Sequence, residues 1–385
     1  MKLNLPAAPS GKQELTLTYD GTPLKTFTYR PDGEIKGVLL NFHGAGRNAE
    51  AARDTAIKVA NERGLYVVAP MFEEKDFSSS DYNRGGLFSA NGKLLPKEDW
   101  TVSLVDDIAE WAHAKIGNLP GAETIAFGHS AGAQFLSRVA AFGPDVFDKM
   151  IIANPSTHVR ASLTEDMPYG FDGNMTSAEQ EAYLRDYLAD PVTIYAGSKD
   201  NDPNAPQLSG GSAAMRQGDD RLERAYFVFN GAKDLAEAKG WQFNWELVVA
   251  EGVAHSERNM LNAPEFQKAF DGRTGDDAPS ISVPSKTYEF ETSADWHGSI
   301  IKDYVEGDVF DFSGIDANMG KTGDQAFVFL GIAGTKAFTT DGAQIRLRHY
   351  DGDTYIYLNT DGDTFYEAKG RIEGIHQLSA DDLLL

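Results

Sequence analysis

Gly128-His129-Ser130-Ala131-Gly132 holds the residue types for acyl transfer: a serine hydroxyl between two glycines at G-x-S-x-G spacing. Such a serine sits on a sharp strand-to-helix turn, where a Cβ at either glycine would collide with nearby backbone. The N–H groups that open the following helix are free to face a developing oxyanion. A serine hydroxyl is a weak nucleophile, so a base must take its proton and an acid must orient that base. In this arrangement the chain order is serine, then carboxylate, then histidine. Gly197-Ser198-Lys199-Asp200-Asn201-Asp202 offers the acid, and Gly252-Val253-Ala254-His255-Ser256 offers the base. Asp200 is the expected acid, with Asp202 its rival on the same loop. His43-Gly44-Ala45-Gly46 would supply one oxyanion amide, that of Ala45, and the N–H of Ala131 would supply the other. Each motif also has a plain reading: the pentapeptide can occur by chance in a glycine-rich chain, and the His43 loop can be an ordinary turn.

The remaining histidines carry bland expectations. His129 is expected to pack beneath the turn as a satisfied core residue. His113 lies on an expected helix and His158 in a loop, neither with a partner at ligand spacing. His297, His349 and His376 fall far along the chain from the serine. No HExxH or similar pattern is present, so no catalytic metal and no organic cofactor is expected.

The elements that must position these residues alternate. Leu15 to Thr18 and Lys25 to Tyr29 flank Asp20-Gly21 and predict an antiparallel pair. Val38 to Phe42, Leu65 to Ala69, Thr124 to Phe127, Lys149 to Ala153, Pro191 to Tyr195 and Glu246 to Ala250 read as buried strands. Ala49 to Arg63, Val102 to Lys115 and Ala131 to Phe142 read as helices between them. Such alternation implies parallel βαβ units with helices on both faces, a doubly wound α/β fold with its sites past the carboxyl ends of the strands. Phe72 to Trp100 reads as a long polar connection, and Ser156 to Asp190 as a lid or cap segment.

Composition bounds the rest. The chain has 385 residues, no cysteine and a formal net charge of −23, which excludes disulfides and thiolate chemistry and argues against binding a phosphate backbone. No apolar run is long enough to span a membrane, and the first residues do not form a signal peptide, so export would use a route without a cleaved N-terminal signal. The pattern changes near Asp271. Residues 1–270 form the α/β part, 271–285 a polar linker, and 286–385 a smaller all-β domain. Its expected strands are Ala326 to Leu330, Gln344 to Arg348 and Thr354 to Leu358, with Asp-Gly pairs at 341–342, 351–352 and 361–362. Residues 276–385 carry a net charge of −12. The Asp-rich turns suit structural calcium, or are hairpin turns with solvated carboxylates.

With HGAG, GHSAG, GSKD and GVAHS in this order, residues 1–270 resemble the α/β-hydrolase superfamily. The fuller set, adding YRP at 29–31 and VVAP, is similar to bacterial esterases related to polyhydroxyalkanoate depolymerases. From about residue 307, GDVFDFSGIDAN and GDQAFVFLG resemble the C-terminal module of serralysin-type metalloproteases, although no GGxGxDxux array precedes Gly307. The first resemblance implies a serine hydrolase that cleaves carboxylic esters through an acyl-enzyme. The second implies type I secretion machinery as a partner and an extracellular location. A peptidase, a lactonase or polyester depolymerase, and a non-catalytic binding protein are the alternatives on the same scaffold.

Overall fold

β1 (Gly11–Tyr19) and β2 (Thr22–Arg30) pair antiparallel in full register, Gly11 opposite Arg30 and Tyr19 opposite Thr22. Both run well beyond the apolar cores expected from sequence, because β1 is an edge strand whose residues are mostly exposed or half-buried. These elements belong to a computed structural model. It describes residues 3, 5–19, 22–272, 286–302, 304, 308–318, 320–323, 325–332, 338–339, 342–350, 353–361, 363–374, 376, 378 and 380–385. The Asp20-Gly21 turn, residues 273–285 of the expected linker, Asp341, Asp351-Gly352 and Gly362 lie outside the described residues.

The chain divides into two compact units, Met1–Ala278 and Pro279–Leu385. In the first, β3 (Gly37–Phe42), β4 (Leu65–Pro70), β5 (Glu123–His129), β6 (Lys149–Ala153), β7 (Val192–Gly197) and β8 (Glu246–Ala250) join the hairpin. The sheet order is β1-β2-β4-β3-β5-β6-β7-β8. β2 meets β4 antiparallel, and every pairing from β4 to β8 is parallel. β3, β4 and β7 are buried at all six positions each, as strands covered on both faces must be.

The helices are α1 (Ala49–Thr55), α2 (Ile57–Arg63), α3 (Ser79–Tyr82), α4 (Leu104–Lys115), α5 (Ala131–Phe142), α6 (Ser177–Ala189), α7 (Ser212–Met215), α8 (Arg221–Lys239), α9 (Glu257–Asn262) and α10 (Phe266–Asp271). The helix expected over Ala49 to Arg63 is thus two helices meeting at Ala56. On one face Leu39, Val67, Phe127, Ile151 and Tyr195 pack against Val59, Met260, Leu261 and Phe266 of α2, α9 and α10. On the other, Phe42 meets Phe135 of α5 with ring centroids 5.1 Å apart.

Two long connections differ from expectation in detail. Residues 72–100 are not simply polar: Phe72, Tyr82, Leu87 and Trp100 are buried, Tyr82 stacks on Phe72 and on Phe135, and Phe72 meets Phe135 at a tilt. Within 156–190, α6 packs against α5 and α8.

The second unit has a five-stranded sheet and a three-stranded one. β9 (Thr287–Glu289), α11 (Ser293–Trp296), β10 (Ile300–Ile301), β11 (Val309–Asp311), β12 (Val328–Ile332), β13 (Gln344–Tyr350), β14 (Asp353–Asn359), β15 (Ala368–Ile372) and β16 (Leu383–Leu384) order as β10-β15-β14-β13-β12 and β16-β11-β9. β12 starts two residues later than expected and runs parallel to β13, so those two strands do not form a hairpin. Trp296 centres the core, its indole N–H donating to Ile356 O at 3.0 Å beneath Gly370, where a Cβ would strike the ring.

Candidate active site

Parallel register brings the strand ends together. Phe42 pairs with Gly128, His129 with Ala153, Ala153 with Tyr195, and Gly197 with Ala250. The segments that follow β3, β5, β6, β7 and β8 therefore leave the sheet along one edge, where open α/β sheets build their sites.

Ser130 leaves β5 with φ 58° and ψ −115°, a left-handed backbone that a serine adopts only when its surroundings enforce it. The enforcement is local. Its N–H donates to Ala153 O at 3.1 Å, and α5 starts at the next residue. Gly132 lies so close to β3 that a Cβ there would overlap the Phe42 carbonyl oxygen, and a Cβ on Gly128 would overlap the Gly132 carbonyl. Both glycines are needed for this turn, as the motif implies.

The acid and base loops are tied to each other. Ser198 N–H donates to Ala250 O at 3.0 Å, Lys199 N–H to Val253 O at 2.9 Å, and Gly252 N–H to the Ser198 hydroxyl at 2.8 Å. Gly197 lies against Val253 O with no room for a Cβ. From this frame His255 Nδ1 lies 2.6 Å from Asp200 Oδ2 and His255 Nε2 lies 3.1 Å from Ser130 Oγ. A carboxylate only accepts, so Nδ1 carries the proton, and Nε2 is left to accept the Ser130 hydroxyl proton. Ser130 is 8% exposed and Asp200 4%, while the His255 side chain keeps 30% of its surface open to solvent. Asp202 stands apart: it is exposed, and its Oδ1 accepts the Asn204 N–H.

The loop after β3 comes up to the serine. A Cβ on Gly44 would lie 3.8 Å from Ser130 Cβ. His43 braces that loop, accepting the Phe72 N–H at Nε2 (3.1 Å) and contacting Gly44 O through Nδ1 at 3.0 Å. Burial pushes its imidazole down to about 4, so it stays neutral. Tyr82 donates to His43 O at 2.7 Å and Arg47 to Phe72 O at 2.7 Å, which locks the loop from behind. Ala45 is exposed and Ala131 buried, and neither N–H has a hydrogen-bond partner among the described residues. Both amides are free to donate to a ligand.

One histidine departs from its expected setting, and two others sit where expected with partners of their own. His129 is buried but not satisfied: Nε2 has no partner among the described residues, and its ring centroid is 4.5 Å from that of His255. Burial, then the neighbouring His255 and Arg221, holds it well below the ordinary histidine range. His158 lies in a loop, as expected, and is fully buried there, its backbone paired with the Gln217 side chain. His113, on α4 as expected, lies with Nε2 2.7 Å from Thr124 Oγ1. The side chain of His349 lies outside the described residues.

Arg221 escaped the sequence reading. Its Nη1 donates to Asp200 Oδ1 at 3.2 Å. A signal was present: Arg221 starts the buried stripe Ala225, Val228, Ala232 and Ala236 of α8, and an arginine in line with an apolar stripe implies a buried partner. For metals, Asp361, Asp363 and Glu367 each bring one oxygen within 4.8 Å of the others, and burial with the two neighbouring carboxylates raises Glu367 above its usual range.

No protein-family model and no curated protein matches the chain. Among solved structures, it is similar to poly(aspartic acid) hydrolase-1 from Sphingomonas sp. KT-1 at 32% identity over 66% of this chain and 97% of that one, with a TM-score of 0.60. It is similar also to LpqC, a poly(3-hydroxybutyrate) depolymerase from Bordetella parapertussis, at 30% identity over 70% of this chain and 92% of that one, with a TM-score of 0.62. With nearly the whole length of both enzymes matched, the chain belongs to the α/β-hydrolase family of serine hydrolases.

Proposed function

We propose that the protein hydrolyses carboxylic esters through an acyl-enzyme on Ser130, and the observation that carries this is the unbroken Ser130–His255–Asp200 hydrogen-bond chain. Ser130 Oγ attacks the ester carbonyl as its proton passes to His255 Nε2. Asp200 holds the imidazole in the required tautomer and stabilises the imidazolium that forms. The tetrahedral oxyanion takes the Ala45 and Ala131 N–H groups. Collapse expels the alcohol, which leaves with the proton from Nε2, and water then repeats the cycle to release the acid. These steps need no organic cofactor.

Uncharged esters suit this protein better than polyanions. The chain carries a net charge of −23, which repels an acidic polymer and leaves a neutral polyester unaffected. The His255 side chain keeps 30% of its surface open, so a substrate can reach the relay from solvent. We expect hydrolysis of p-nitrophenyl esters and of a poly(3-hydroxybutyrate) film, lost in Ser130→Ala, with poly(aspartic acid) cleaved far more slowly. Preference for poly(aspartic acid) over both would overturn the ester assignment. The second unit, on its likeness to serralysin-type C-terminal modules, is assigned to export through type I machinery.

A further inference from the structure

Asp200 has two charged partners. Its Oδ2 takes the His255 Nδ1–H, and its Oδ1 takes an Arg221 N–H, in an ion pair whose two side chains are 3% and 1% exposed. The same turn of α8 holds the main chain, since Leu222 N–H donates to Asp200 O at 3.3 Å. Arg221 Nη2 reaches Pro206 O at 3.3 Å, so the guanidinium spans the whole acid loop.

The geometry points to Arg221 as a positioning residue for hydrolysis: it fixes the Asp200 carboxylate and, by sharing that charge, sets the pH above which His255 can act as base. This rests on the hydrolase reading above. Arg224, one turn along α8, shows what a purely structural arginine does here. Its N–H groups go to the carbonyls of Gly218, Ser156 and Ser209, which ties loops to the helix without touching the relay. Arg221 instead spends its buried charge on the carboxylate that orients the base. Burying two charges is favourable only when their mutual geometry is good, so the pair is a constraint on Asp200 and not mere packing.

The groups around the imidazole come from each element packed on it. β5 contributes the neutral His129, the turn after it contributes Ser130, the loop after β7 contributes Asp200, and α8 contributes Arg221 through Asp200. Arg221 in turn faces Asp200 and Arg224, with Asp220 beside it in sequence. A neutral side chain at 221 would leave the whole Asp200 charge to stabilise the imidazolium. His255 would then stay protonated to higher pH, and the acid limb of the kcat/KM profile would move up. Loss of a merely structural contact would lower the rate and leave the limb in place.

The test compares full-length wild type, Arg221→Gln and Arg221→Lys on a p-nitrophenyl ester from pH 4 to 9, with fluorophosphonate labelling of Ser130 in parallel. In Arg221→Gln we expect kcat to fall roughly tenfold to a hundredfold with KM little changed, and the acid limb to rise by about one pH unit. Arg221→Lys keeps the charge without the fork and should hold the limb within about 0.3 unit of wild type. An unmoved limb in folded Arg221→Gln overturns the proposal. If that variant does not fold, a folded Arg221→Lys with a displaced limb overturns it, and one with an unmoved limb supports it. Wild type that is active yet unlabelled at Ser130 defeats the hydrolase reading instead, so the two failures are distinguishable.

Discussion

Single residues set the acid tolerance of this protein. Burial pushes His43 down to about 4 and His158 down to about 3, and it holds His129 well below the ordinary range. All three are neutral when folded and would take a proton near pH 6.5 when unfolded. Unfolding therefore binds protons below pH 6.5, and stability falls as pH drops toward 4. Asp190 opposes this, because burial, then Asp145 and Asp186, pushes it up to about 7, and the folded state keeps a proton that the unfolded chain releases. Buried Glu257 shifts in the same sense. Half-buried Asp220 does too, but of these acids only Asp190 moves as far as the three histidines do, so the urea midpoint of the first unit, read by hydrogen exchange in β3 and β5, should be lower at pH 5 than at pH 7. An equal or higher midpoint at pH 5 would contradict this balance. Of these burials only that of His129 was legible in the sequence, and His158 read simply as a loop residue, because burial is decided by packing across the fold and no local pattern announced it. Ser130, Asp200 and His255 were legible because each follows an apolar strand within a few residues.

At the scale of elements, strand ends and loops decide which carboxylate serves. Asp200 and Asp202 were equal in type and two residues apart, so the sequence left them as rivals. The Gly197–Asp202 loop is laced to the His255 loop through Ser198 and Lys199, which turns Asp200 inward and leaves Asp202 exposed. Asp200→Asn should lower kcat for ester hydrolysis by about four orders of magnitude, and Asp202→Asn by less than about fivefold. Steady-state kinetics of the two purified variants check this, and a crippled Asp202→Asn beside a mild Asp200→Asn would reverse the assignment. The six strands β3 to β8 were legible because doubly covered strands are short apolar runs with no competing period. β1 and β2 were read too short because most of their outer residues are polar and leave no apolar run to mark the strand ends. The break between α1 and α2 carried no proline or glycine to mark it.

For the whole molecule, the two units have separate apolar cores, one around Phe127 and Tyr195 and one around Trp296 and Phe310. The change of pattern after residue 270 was visible in composition, since residues 276–385 carry a net −12 and read as short β-like runs. Its internal order was not: β9, β10, β11 and β16 are two or three residues long, and pairing between distant short segments leaves no period to read. A chain ending at Ala278 keeps Ser130, Asp200 and His255 with their core. It should hydrolyse esters in lysate at close to the full-length rate, while beside a type I transporter only the full chain should reach the medium. A folded but inactive 1–278 chain, or its secretion, would break this division of labour.

The central claim is that Ser130 is acylated during turnover. Intact mass spectrometry of the protein, quenched within the first turnovers of a slowly hydrolysed p-nitrophenyl ester, tests it most directly. The expected result is one added acyl group, mapped by peptide digestion to Ser130, absent from Ser130→Ala and discharged on standing in water. Steady ester turnover with no adduct on Ser130, or an adduct on another residue that persists in Ser130→Ala, would contradict it.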